Sequence, residues 1–203
     1  MAISVSGSAE NFGYYTNGSG ITFPFTTSIE DLSQTNLSLY ANFLIITLPP
    51  NLSYWQNAVT LNLSGNLFQT WFDFSGFSVL EDFIANFQTS WFSYYVTNLT
   101  GLILPPSVKT ISFDGSPDLN DYLDTFSQGL FSIGSFAIGG CALDATNVNN
   151  QVEALYNTVT SPSYIGTPGT IDLSAGTNAA PSGAAIGQIA DLINNYGWAI
   201  TTN

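Results

Sequence analysis

Apolar residues recur along this chain in short alternating runs, each followed by a small or polar turn. The clearest are Leu61-Asn62-Leu63-Ser64-Gly65-Asn66, Ala85-Asn86-Phe87-Gln88-Thr89-Ser90 and Ile111-Ser112-Phe113-Asp114-Gly115-Ser116. Two more are Phe136-Ala137-Ile138-Gly139-Gly140-Cys141 and Ile171-Asp172-Leu173-Ser174-Ala175-Gly176. Successive side chains of a strand point to opposite faces, so this alternation predicts strands with one face buried. The runs start 24, 26, 25 and 35 residues apart. Leu44-Ile45-Ile46 predicts an earlier strand of the same set, and Ile21-Thr22-Phe23 a weaker one. Between the runs the spacing turns helical. Residues 118–131 carry Leu119, Tyr122, Leu123, Phe126 and Leu130; residues 147–159 carry Val148, Val152, Leu155, Tyr156 and Val159, with Asn147 as N-cap. Residues 182–196 place Ile186, Ile189, Ala190, Ile193 and Tyr196 on one face, with Gly197 as C-cap. Residues 198–203 predict a closing strand, and the Gly/Ser-rich residues 1–20 an arm or docking strand.

A strand followed by a return segment, repeated every 20–29 residues or so with the pattern apolar-x-apolar-x-x-Asn/Cys, resembles leucine-rich repeats. Asn66 and Cys141 stand where such repeats use Asn or Cys to satisfy the turn leaving the strand. That gives Cys141 a buried structural role, with no basic neighbour to activate its thiol. Leu48-Pro49-Pro50 and Leu104-Pro105-Pro106 each precede a run, where a return segment would end. The tail Gly169-Thr170-Ile171-Asp172-Leu173-Ser174-Ala175-Gly176-Thr177-Asn178-Ala179-Ala180-Pro181-Ser182-Gly183, closing on Tyr196-Gly197-Trp198-Ala199-Ile200-Thr201-Thr202-Asn203, is more specific. It resembles a C-terminal module of leucine-rich-repeat-like proteins from tailed bacteriophages and from gut or environmental bacteria. The resemblance implies a repeat fold on a virion or cell surface, and no catalytic residues. The expected fold is α/β: a short, irregular leucine-rich-repeat-like solenoid with a parallel sheet. It has an N-terminal arm at 1–20, the solenoid over 21–168, and a C-terminal capping repeat with its capping strand over 169–203.

Composition narrows the chemistry. The chain has one basic residue, Lys109, no Arg or His, a single Cys, 14 acidic residues and a net charge of −13. Without His, no Ser-His-Asp or Cys-His catalysis and no imidazole metal ligand is available. The charge repels nucleic acid and anionic lipid. The 45% apolar content, with 15 Phe, 10 Tyr and 4 Trp, nevertheless predicts a folded chain with a substantial core. The longest apolar run, Phe43 to Ile46, is too short to insert in a membrane, and Met1-Ala2-Ile3 opens without the pattern of a signal peptide.

Three groups of residues could carry function. The outward positions of the runs form a ladder: Asn62 and Ser64, Asn86 and Gln88, Ser112 and Asp114, Ala137 and Gly139, Asp172 and Ser174. Their hydroxyls, amides and carboxylates suit a neutral glycan or a protein partner, and equally suit a solvated sheet face. Eleven aromatics between Phe68 and Tyr95 read mainly as core, but the adjacent pairs Trp71-Phe72 and Trp91-Phe92 would send one ring each to the outside, as a subunit contact. Asp118, Asp121 and Asp124 would line one side of a helix, as a solvated first turn, a calcium ligand set or an acid/base pair.

The expectation is therefore a non-enzymatic bacteriophage virion structural protein, without cofactor or metal, exposed for assembly, decoration or host adhesion. It would be extracellular when released. Its partners would be other virion proteins or its own copies, with a host-surface glycan as a further partner. The alternative is a bacterial surface or secreted glycan-binding repeat protein. A glycoside hydrolase comes third, because carboxylates are the catalytic tool left.

Overall fold

The computed structural model describes residues 36–38, 45–46, 58–64, 67–68, 71, 73–86, 98–124 and 129–203, with backbone alone for the strand residues 36–38, 45–46 and 67–68. The predicted arm at 1–20, the run at Ile21, and Asn66, Gln88, Phe72, Trp91 and Phe92 lie outside these residues.

The fold is α/β. Its strands are β1 (Asn36–Ser38), β2 (Ile45–Ile46), β3 (Thr60–Asn62), β4 (Leu67–Phe68), β5 (Asp82–Ile84), β6 (Thr110–Ser112), β7 (Ser135–Ala137), β8 (Thr170–Leu173) and β9 (Ala199–Thr202). Helix α1 (Ala145–Val159) follows β7, and α2 (Ala184–Tyr196) follows β8. Among the described residues, seven strands form one parallel sheet in the order β1-β3-β5-β6-β7-β8-β9. Ile45–Ile46 is a strand, as expected, but β2 pairs with β4 in a separate parallel pair. The main sheet instead begins at β1, whose Asn-Leu-Ser offers a single apolar residue to the pattern.

Register stacks like on like. Leu61, Phe83, Ile111, Phe136, Ile171 and Ile200 are direct partners across successive strands. The first five are at most 2% exposed. A second inward column runs through Leu63, Ala85, Phe113, Ile138 and Leu173, all fully buried. Each buried Leu, Ile or Phe contributes about 1.5–3 kcal/mol through removal of apolar surface from water. The rings stand in for missing leucines: Trp71 meets Phe113 edge-on at 5.7 Å, and Phe83 lies 5.4 Å from Phe74 and 5.9 Å from Phe113. The single ion pair among the described residues, Lys109 Nζ to Glu81 Oε1 at 2.6 Å, is half exposed at both ends and contributes little.

The helices need three corrections. Residues 118–124 and 129–131 form no α-helix. Their apolar side chains Leu119, Leu123 and Leu130 are buried, but polar groups of the segment bond to α1 and its cap instead of along a helix of their own. Leu123 N–H donates to Gln151 Oε1, and the Asn120 side chain accepts from Asp144 N–H. Helix α1 starts three residues earlier than expected, capped by Asp144 and not Asn147; Asp144 Oδ1 accepts from Asn147 N–H at 2.8 Å. Helix α2 ends on the left-handed Gly197 (φ 75°), as expected, but is rotated on the core. It buries Ala185 and Leu192, and leaves Ile186 and Ile193 exposed by 59% and 42%. Among the described residues, no helix is long and apolar enough to cross a membrane.

Candidate functional site

The outward face of the sheet carries the predicted ladder with one change of register, and with Ser64 buried at 4% exposure rather than open to a ligand. Phe83, and not Ala85, aligns with Leu61, so the second rung presents Ile84 and Asn86. A shift by two keeps every side chain on its face, whereas a shift by one would invert it. Asn86 therefore stands on the expected face but beside Ser64 and Asp114, and its former place is taken by Ile84. The middle outward column reads Asn62, Ile84, Ser112, Ala137, Asp172 and Thr201.

Much of this ladder is occupied by its own turns. Asn62 Oδ1 accepts from Ser64 N–H at 3.0 Å, and Ser64 Oγ accepts from Asn86 N–H at 3.0 Å. Asn86 Oδ1 accepts from Ser112 Oγ at 2.6 Å and from Asp114 N–H at 2.9 Å. Asp172 Oδ1 takes both the backbone N–H and the hydroxyl of Ser174, at 2.9 and 2.6 Å. These bonds fix the chain as it leaves each strand, as short polar side chains do in Asx turns.

One place on the face concentrates charge. A Cβ on Gly139 would stand 2.9 Å from Asp114 Oδ1 and 3.3 Å from Asp172 Cγ, so two carboxyl groups close over this glycine from neighbouring strands. Partial desolvation, and after it the Asp172 charge, push the Asp114 carboxyl above its ordinary value, against the Gly115 N–H that lowers it. The pair offers hydrogen bonds to hydroxyls and repels anions.

The sign of the pH effect follows. Between 3.8, the ordinary value, and the raised one, the folded chain binds more protons at Asp114 than the unfolded chain does. Stability from this group therefore falls as pH rises through that window. Asp114→Asn is expected to raise Tm at neutral pH, to leave it unchanged below the window, and to flatten the slope between. Thermal melts across a pH series test this; an unaltered slope in the variant would contradict it.

The other expected sites fare differently. Trp71 is 7% exposed, with Nε1 donating to Asn98 O at 2.9 Å, so it belongs to the core rather than to a subunit contact. Asp118, Asp121 and Asp124 share no helical face. Asp121 accepts from Leu99 and Tyr122 N–H groups, and Asp124 lines a separate cleft. Cys141 is fully buried, its thiol directed at Phe113 O and Gly139 O, and burial pushes its pKa up to about 12. Among the described residues, no three His, Cys, Asp or Glu side chains converge as a metal-ligand set.

Two features went unread in the sequence. Asn178, 5% exposed, holds three neighbouring backbones together: its Oδ1 accepts from Leu143 N–H, and its Nδ2 donates to Ile138 O and Leu173 O. A polar residue five places after the last core position of its strand was the available signal. The second is a cleft of about 430 Å³ beside α1, where Tyr122, Asp124 and Phe131 face Asn150, Glu153 and Asn157. It joins rings to carboxylates and amides, with no cationic side chain. No protein-family model matches the chain, nor does any curated protein or solved structure.

Proposed function

We propose that this chain is a leucine-rich-repeat-like solenoid serving as a non-enzymatic structural component of a bacteriophage particle. It would be exposed for assembly, decoration or adhesion to a host surface, and extracellular when released. The observation that carries this reading is the ladder. Each of β3, β5, β6, β7 and β8 adds one unit to a continuous core, while the outward polar side chains are spent on neighbouring turns rather than gathered into a reactive centre. The tail's resemblance to phage and bacterial surface modules supplies the setting. A hydroxyl- and amide-rich build with 7% charged residues, stabilised by packing, suits a surface that persists outside a cell.

The test is co-purification. Particles banded on a density gradient should contain the chain at a fixed ratio to the major coat component. Chymotryptic rather than tryptic peptides are needed, since Lys109 is the single tryptic site. Recovery only in the soluble fraction, away from particles, would sink the reading.

The second reading, a bacterial surface or secreted glycan-binding repeat protein, is favoured by the cleft beside α1 and by the Asp114–Asp172 edge. Pockets of this size with rings and a few convergent polar groups suit small hydroxylated ligands. It requires saturable binding to cells or glycans, weakened by Ser112→Ala combined with Asp172→Asn.

A further inference from the structure

We propose that the β9 end of the sheet is an interface between two copies of this chain, with β9 pairing antiparallel to its two-fold mate and α2 packing on α2. The stacked core ends there unfinished. Ile171 is 2% exposed, whereas Ile200, its partner in β9, is only partly buried. Leu173 is fully buried, and Thr202 opposite it is not. Among the described residues β9 has a neighbour on one side alone. Ala199 N–H donates back to Gly169 O, so the alternate donors, Ile200 and Thr202, face the open edge.

Helix α2 exposes an apolar side in the same direction. Its Asp191 accepts from Tyr156 of α1 at 2.9 Å, which fixes the side turned to α1, and Ala185 and Leu192 mark the side turned to the core. At about 100° per residue, Ile186 and Ile193 lie roughly 140–160° round the helix from Asp191. They face away from α1, toward the place a further helix would take beyond β9. Exposed Ile186 and Ile193, half-covered Ile200 and an unpaired strand edge thus meet at one end of the molecule.

Solenoid ends that face water carry a polar outer surface, and exposed edge strands are blunted by Lys or Pro. This end has no Lys or Pro, and beside the threonines of β9 it leaves Ile186 and Ile193 exposed. Charge selects the occupant. The chain carries −13, but residues 184–203 hold one charged side chain, Asp191, and it is turned to α1 and bound by Tyr156 and Asn195. Copies meeting across carboxylate-bearing surface repel each other, and copies meeting here bring no charged side chains face to face. A basic partner finds no attraction at an uncharged end. A two-fold axis makes the same strand and helix complementary to themselves. The proposal rests on the fold and not on the particle reading, so either can fail without the other.

Sedimentation of the purified full chain tests it. The expected species at micromolar concentration has twice the 21.7 kDa chain mass. The double variant I186D/I193D and, separately, Thr202→Pro should each return it to the monomer with an unchanged far-UV spectrum. Ile165→Asp, at a site 78% exposed and elsewhere, should stay dimeric. Hydrogen exchange of the unmodified chain gives a second readout, because the Ile200 and Thr202 amides should gain protection as concentration rises. A monomer at every concentration, an open-ended series of larger species, or a dimer that survives either variant overturns the proposal.

Discussion

Gly169→Ala will destabilise the fold by about 3 kcal/mol or more, lowering Tm by roughly 10 °C in a chain of this size. Gly134 and Gly169 stand back to back, one residue before β7 and β8. A Cβ at 169 would overlap the Gly134 carbonyl oxygen, which is backbone and cannot rotate aside. The same stretch is committed on both flanks, with Gly134 N–H donating to Lys109 O and Gly169 O accepting from Ala199 N–H. Relief therefore requires β7 and β8 to part where their ladder begins. Gly187→Ala is the matched control. Position 187 lies inside α2 with nothing within 4 Å of the added carbon, so the change should stabilise by about 0.5–1 kcal/mol. Thermal melts of the two variants decide the matter. Equal and small effects would mean that the strands are not in van der Waals contact at this point.

Asn178→Ala will cost about 3–5 kcal/mol, since it leaves the Leu143 N–H and the Ile138 and Leu173 carbonyls unpaired in the interior, each at about 1–3 kcal/mol before relaxation. Asn178→Asp keeps the acceptor but sets a carboxylate against two carbonyl oxygens. It should be worse than alanine at neutral pH and recover part of the loss in acid. Urea unfolding gives the comparison through shifts in midpoint at constant slope. A loss below about 1 kcal/mol for alanine would show that the three backbones hold together without this side chain.

The strands were legible because alternation survives errors of two. Phe83-Ile84-Ala85-Asn86-Phe87 fits the core in two registers, and the sequence offers no rule for choosing between a ring and a methyl at the first position. The pairing with Leu61 and Ile111 settles it. Helical spacing misled over 118–124 and 129–131, the described part of the span, for a related reason. A loop lying along the core also buries every third or fourth residue, here Leu119 and Leu123, while its donors go to side chains such as Gln151. Helix α2 carries apolar residues on two sides, so periodicity found a stripe but not the side that the core takes. The polar face was readable as a face. Its division into turn-holding and free groups was not, because Asn86 and Ser112 meet across 26 positions of chain.

Cys141 gives this fold its own clock. The thiol is the only one in the chain, lies fully buried between two carbonyl oxygens at the middle of the stack, and is held far above neutrality. A thiol reagent can reach it only when strands around β6 and β7 separate. Under fast reclosing, the labelling rate divided by that of the unfolded chain then reads out the opening equilibrium of the core directly. The stability of the stack can be followed residue-specifically under native conditions, without denaturant and without an introduced cysteine.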